Sequence, residues 1–153
     1  MRAFQSNPAY PAAPNNQSPL VIKETRPLPK IPRTQIALLH GNDPFFDSIS
    51  QRLQDNFNEF AIALDARSME EIRAIDTAVV KVVLVDFELP GDATAIECVR
   101  TIRSIGARAI TLSGPYSADG VIKAMAAGAD AALKKSDSSK RIADQIRLSA
   151  ARG

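Results

Sequence analysis

The chain is predicted to be an α/β protein: a doubly wound, five-stranded parallel sheet with a helix after each strand, (βα)5. Three observations predict it. From Thr34 onward, short apolar runs alternate with segments whose apolar residues recur every three or four positions. Strands alternating with helices imply parallel strands joined by right-handed crossovers. One run, Lys81-Val82-Val83-Leu84-Val85-Asp86, is apolar almost throughout, as a strand covered on both faces is. It stops at a carboxylate followed by Phe87-Glu88-Leu89-Pro90-Gly91. Asp86 therefore lies at the carboxyl end of a strand, where open α/β sheets collect ligands and chemistry. Asp also ends strands and caps turns, so the strand pattern by itself leaves both roles open.

The elements follow in order. Gln35 to His40 reads as the first strand. Pro44 to Asn58 reads as the first helix, with Phe46, Ile49, Leu53 and Phe57 on one face. Asp43 then Pro44 is a start signal, a capping carboxylate before a proline in the first turn. Phe60 to Leu64 is the second strand, and Ser68-Met69-Glu70-Glu71 is a capping box that opens a short second helix. Val79 to Val85 is the third strand. About Ala93 to Ser104 forms the third helix, with Ile96, Val99 and Ile102 inward. Ala107 to Leu112 is the fourth strand, broken by Ser113-Gly114-Pro115. Ala118 to Ala127 is the fourth helix, ended by Gly128. Ala131 to Lys134 is a short fifth strand, and Ser138 to Ala151 the fifth helix, with Ile142, Ile146 and Ser149 at helical spacing.

Composition narrows the function. Of 153 residues, 45% are apolar and 24% charged, the balance of a globular protein, and one domain's worth of chain. A net charge of +2 is too small for a nucleic-acid surface, so no direct nucleic-acid contact is expected of this domain. The six Phe and two Tyr form no stacking platform. Cys98, the single cysteine, cannot make an internal disulfide; it reads as a small buried hydrophobe, and a reducing cytoplasm is the expected compartment. His40 is the single histidine, which excludes a multi-histidine metal site. No segment is apolar for long enough to span a bilayer, and no secretory signal is visible. Residues 1–33 differ from the rest. They hold seven of the ten prolines, with much Asn, Gln and Ser, and are expected to be a disordered, proline-rich tail ahead of a folded domain over 34–153. Pro29-Lys30-Ile31-Pro32 fits a short polyproline turn, although a solvated linker is the simpler reading.

Four stretches now fall in one order: Val83-Leu84-Val85-Asp86-Phe87-Glu88-Leu89-Pro90-Gly91, Ile110-Thr111-Leu112-Ser113-Gly114, Ala127-Gly128-Ala129-Asp130 and Leu133-Lys134-Lys135-Ser136. Together they make residues 34–153 resemble the receiver domain of two-component response regulators, a flavodoxin-like fold. The resemblance implies a signalling domain rather than an enzyme, with at most self-catalysed phosphotransfer and dephosphorylation. Asp86 would be the phosphoacceptor, attacking a phosphohistidine on a histidine kinase or phosphotransfer protein. Lys135 would neutralise the phosphoryl oxygens, and Ser113 would bond one of them. Lys134 and Lys135 are neighbours on a strand and face opposite ways, so only one can reach the site. Lys135 matches the family's lysine, counted two residues after Leu133; a one-residue slip would substitute Lys134.

Two departures from the family's pattern imply that the resemblance is to an atypical receiver, with a degenerate acidic pair. Receivers carry two adjacent carboxylates after the first strand, which hold Mg2+; here His40-Gly41-Asn42-Asp43-Pro44 follows. Aligned on the proline, Gly41 and Asn42 fill the acidic slots. Magnesium prefers charged oxygens, so its binding is expected to be weak or absent. Asp86, the backbone carbonyl of Glu88, Asn42 and Asp43 are the candidate ligands, Asp43 already serving as a cap. The fifth strand also lacks the family's switching aromatic, with Ala131-Ala132-Leu133 in its place; Tyr116 could substitute, although a surface loop tyrosine is the simpler reading.

Three functions compete. The first is a phosphoacceptor that changes its helix four to helix five surface, a surface that could also form a homodimer through helix four, strand five and helix five. It could be the N-terminal part of a longer transcriptional regulator. The second is a pseudo-receiver that binds a partner without phosphorylation. The third is a flavodoxin-like ligand binder or small enzyme, which wants a glycine-rich phosphate loop that Gly41 alone does not make.

Overall fold

The computed structural model describes residues 33–89, 94–115 and 117–152. The proline-rich segment 1–32, the Pro90-Gly91 turn, the first residue expected of helix three (Ala93) and Tyr116 lie outside the described residues.

Five strands and five helices alternate: β1 (Thr34–Leu39), α1 (Pro44–Asn56), β2 (Phe60–Ala66), α2 (Met69–Arg73), β3 (Val80–Asp86), α3 (Ala95–Ser104), β4 (Arg108–Ser113), α4 (Gly120–Ala127), β5 (Ala131–Lys134) and α5 (Ser139–Arg152). All the strand pairs are parallel, in the order β2-β1-β3-β4-β5. This is the doubly wound sheet expected from the sequence. The chain steps outward from β1 to β2, then returns to the far side of β1 for β3. The strand order reverses between β1 and β3, and the carboxyl ends at such a reversal are where open α/β sheets place their sites.

Side-chain alternation along each strand sorts the core into two layers. Ile36, Leu38, Val82, Leu84, Ile110 and Leu112 meet Phe46, Ile49 and Leu53 of α1 and Ile142, Ala143 and Ile146 of α5. Ala37, Leu39, Val83, Val85 and Ala109 take the opposite face, against Ile72 of α2, Cys98, Val99 and Ile102 of α3, and Ala124 of α4. The buried positions of α1 are Phe46, Ile49 and Leu53; Phe57 is the C-cap, half-buried. On α3 the inward face includes Ala95 and Cys98, while Ile96 is only half-buried.

Caps fix most helix ends. Ser68 accepts from the Glu71 amide, and Thr94 and Glu97 form a reciprocal capping box at α3. Gly128 ends α4 in the left-handed region at φ 104°, where a side chain would be strained. Most element ends fall within two residues of those that the sequence predicts, and the shifts are physical. β2 runs on to Ala66 because Leu64, Asp65 and Ala66 keep pairing with β1 past an irregularity at Ile36/Ala37. β3 includes Asp86 because it pairs with Leu112 of β4.

Candidate phosphoacceptor site

Asp86 is the last residue of β3 and is 3% exposed. Its Oδ1 accepts from the Glu88 amide at 2.9 Å, so it caps the turn that follows. The same oxygen lies 2.9 Å from Lys135 Nζ. Capping and a site role are therefore compatible in one side chain. Lys135 follows β5, and its amide donates to the Ser113 carbonyl at 2.8 Å, which aims the side chain back across β4 and β3. Lys134 is exposed.

A lysine ammonium has three donors. All three are engaged by carboxylates: Asp86, Asp43 Oδ2 at 2.6 Å and Glu88 Oε1 at 2.8 Å. Three carboxylates around one ammonium leave a formal charge of −2. Burial alone would lower the Lys135 pKa, but the bonds to Asp43, Glu88 and Asp86 outweigh it and hold the group above its ordinary value. Burial would likewise raise Asp43 and Glu88. The Lys135 bond and the Phe45 amide bring Asp43 below its usual value; the Lys135, Ser117 and Gly114 bonds do the same for Glu88.

The turn after β1 is built as scaffold. Asp43 Oδ1 accepts from the Phe45 amide at 2.9 Å and caps α1, while Oδ2 pairs with Lys135. Asn42 adopts φ 65°, a left-handed conformation that asparagine tolerates. Its Oδ1 accepts from Arg67 Nε at 2.8 Å. His40 is fully buried and stacks on Phe46 with ring centroids 4.6 Å apart. The Asp43 amide donates to His40 Nδ1 at 3.2 Å, so Nε2 carries the proton and donates to Asp65 Oδ1 at 2.8 Å. His40, Asn42 and Arg67 thus pin the β1–α1 turn to the end of β2.

On the other side stands the β4–α4 loop. Ser113 is 3% exposed, and its hydroxyl donates to the Leu133 carbonyl at 3.4 Å, a long bond that leaves it ready to turn elsewhere. The Gly114 amide donates to both Glu88 carboxylate oxygens, at 3.0 and 2.9 Å, and the Ser117 hydroxyl donates to Oε2.

No family model and no curated protein matches the chain. Solved structures do. A response regulator receiver domain from Clostridium thermocellum superposes with a TM-score of 0.68 at 21% identity, over 78% of this chain and 95% of that one. A LuxR-family two-component response regulator from an Aurantimonas species gives 0.67 at 24%, over 78% and 86%. The signal receiver domain of the response regulator NarL from Mycobacterium tuberculosis gives 0.68 at 17%, over 79% and 98%. The chain has the receiver fold.

In that fold the sequence-matched residues Asp86, Ser113 and Lys135 come together at the carboxyl ends of β3, β4 and β5, Asp86 pairing with Leu112 and Ser113 with Lys134. Asp43 and Glu88 join them through Lys135. Asn42 does not: its oxygen is engaged by Arg67, and Gly41 offers no ligand. Both Asp43 oxygens are also committed, one to the α1 cap and one to Lys135. This donor set fits a tightly held magnesium ion poorly, because Lys135 already occupies one oxygen of each carboxylate and the acidic slots after β1 hold Gly41 and Asn42. A second acidic group, His40, Asp47 and Asp65, brings one ligand atom each within 4.8 Å of one another. His40 Nε2 there is protonated and bound to Asp65, which leaves it no lone pair for a metal. Among the described residues, no helix is long and apolar enough to cross a membrane.

Sequence reasoning did not find His40, Arg67, Gly114 or Ser117. A histidine closing an apolar strand was a signal for a buried, hydrogen-bonded ring; nothing local marks the others, whose roles arise from distant contacts.

Proposed function

We propose that the domain is a signalling receiver that takes a phosphoryl group on Asp86 from the phosphohistidine of a histidine kinase or phosphotransfer protein. The observation that carries this reading is the 2.9 Å contact between Lys135 Nζ and a buried strand-end carboxylate. A carboxylate oxygen attacks phosphorus, the phosphorus–nitrogen bond breaks, and the imidazole leaves with the electron pair and takes up a proton. Such transfers need positioning and charge neutralisation more than covalent help. Lys135 meets that need as a point charge bonded to the nucleophile, and Ser113 adds a hydroxyl once it leaves the Leu133 carbonyl. The protein so read is not a classical enzyme.

Ile122 and Met125 of α4 and Leu148 of α5 are exposed apolar side chains. They support an output or homodimer surface through α4, β5 and α5, with a DNA-binding or other output segment supplied by a longer regulator. A cytoplasmic location follows from that role. Magnesium would bind Asp86, Asp43 and the Glu88 carbonyl weakly.

The second reading is a pseudo-receiver that engages partners without phosphorylation. It is favoured by Asn42 being engaged with Arg67 and by Lys135 already saturated with carboxylates. Beryllofluoride or a small phosphodonor, added with and without magnesium and followed by amide shifts, separates the two. Shifts around Asp86 that vanish in Asp86→Asn support the phosphoacceptor. Unchanged spectra at saturating donor and magnesium leave the pseudo-receiver.

A further inference from the structure

Beyond Asp86 itself, the turn after β3 grips the β4–α4 loop at two points. Glu88 receives the Gly114 amide, the Ser117 hydroxyl and the Lys135 ammonium. Phe87 packs where α4 begins: a β-carbon at Gly120 would lie 3.2 Å from its ring. Gly114 is equally fitted to Glu88, since a β-carbon there would stand 3.2 Å from Oε1. Between these grips, the Ser117 amide bonds the Gly114 carbonyl and the Gly120 amide bonds the Ser117 carbonyl, the turns that lead into α4. Holding Gly114 and Ser117 therefore holds the entrance of the helix.

Lys135 and the loop donors are the cationic and polar groups that an oxyanion attached to Asp86 would use, and a carboxylate of this chain already has them. We propose that Glu88 is an internal anion that latches the β4–α4 loop to Lys135 and must be displaced before a phosphoryl group on Asp86 can reach those donors. The three Lys135 donors are filled; phosphorylation releases the one on Asp86, whose carboxylate becomes an acyl phosphate, and any further Lys135 donor has to be taken from Asp43 or Glu88. Asp86 is the nucleophile, its side chain only 4% exposed, and Asp43 is fixed by its α1 cap; Glu88, at 38%, is the most exposed of the three. A phosphoryl group carries close to two negative charges and repels a neighbouring carboxylate. Displacing Glu88 then frees Gly114 and Ser117, and with them the start of α4. The Glu88 carboxylate is a positioning group in this scheme: it acts on the loop and on Lys135, while the Glu88 backbone amide alone touches Asp86.

The latch itself does not need phosphotransfer; only its displacement rests on the phosphoacceptor reading. The test uses the full chain as wild type, Glu88→Ala, Glu88→Gln and Ser117→Ala, each checked for an unchanged far-ultraviolet spectrum. Amide hydrogen exchange is measured first, with no donor present. Exchange at Gly114 is expected to quicken about tenfold or more in Glu88→Ala, the scale of one lost charge-assisted hydrogen bond, and less in Glu88→Gln and Ser117→Ala. Equal exchange in wild type, Glu88→Ala and Ser117→Ala overturns the latch. Beryllofluoride with magnesium is then added. Stronger labelling of Asp86 in Glu88→Gln than in wild type supports displacement, and weaker or equal labelling overturns it. Quickened exchange with no labelling of any variant would leave the latch standing and reject the phosphoacceptor reading.

Discussion

The side chain on which most of the site depends is Lys135. Its ammonium bonds three carboxylates at once, and removing it leaves them facing one another with no cation. Lys135→Met is expected to cost about 1–3 kcal/mol at pH 7, the scale of a partly buried ionic group left unpaired. Urea unfolding measures it, and the deficit should shrink as the carboxylates protonate. The pH profile follows from the same group. Asp43 and Glu88 sit below their usual values of 3.8 and 4.5, so their contribution is complete above those values and is lost as pH falls through the folded ones. Lys135 sits above its usual 10.5, so its contribution is complete below that and is lost as pH rises through the folded value. Stability should thus be flat between about 4.5 and 10.5 on account of this group and fall on the acid side. Asp43→Asn keeps a cap, loses the charge, and should make that acid limb shallower in unfolding measured at pH 7 and pH 3. The pairing of Asp86 with Lys135 was legible in the sequence because each stands at a marked place, a carboxylate closing an apolar strand and a lysine just past a short one. Glu88 was legible only as a backbone carbonyl. That its carboxylate would bind Gly114 and Ser117, 26 and 29 residues away, depends on tertiary packing that no local pattern encodes.

At the scale of elements, the strands and helices were readable because both periodicities are clean. The four apolar residues of β3 before Asp86 send Val82 and Leu84 to one layer and Val83 and Val85 to the other. Caps were readable too: Asp43, Ser68 and Gly128 do what their residue types do. Less readable was the β1–α1 turn. Its residues looked like an acidic pair gone missing; the structure shows Asn42 and His40 tied to Arg67 and Asp65, so the turn has a scaffolding use. Thr94 is the capping-box residue of α3, and Thr94→Ala should cost about 1 kcal/mol, within the usual range for a lost N-cap. Thermal unfolding checks this, with Thr94→Ser expected to restore most of the loss.

For the whole described domain, the sheet order decides where chemistry can occur. The order reverses between β1 and β3, and there Lys135 brings Asp43 and Asp86 together although 92 positions separate Asp43 from Lys135. The layers on either side keep the strands in register. Ile110 is fully buried among β4 and its neighbours, and Ile110→Ala should cost about 2–5 kcal/mol while also loosening the Asp86–Ser113 alignment. Denaturant unfolding gives the first and amide shifts at Ser113 the second. The most direct test of the central claim is intact-mass analysis after treatment with a small phosphodonor, with the carboxylate of Asp86 as the variable. One phosphoryl group should add to the wild type, none to Asp86→Asn, and addition to Lys135→Met should be slowed. A wild-type mass that stays unmodified at saturating donor, with or without magnesium, would contradict it.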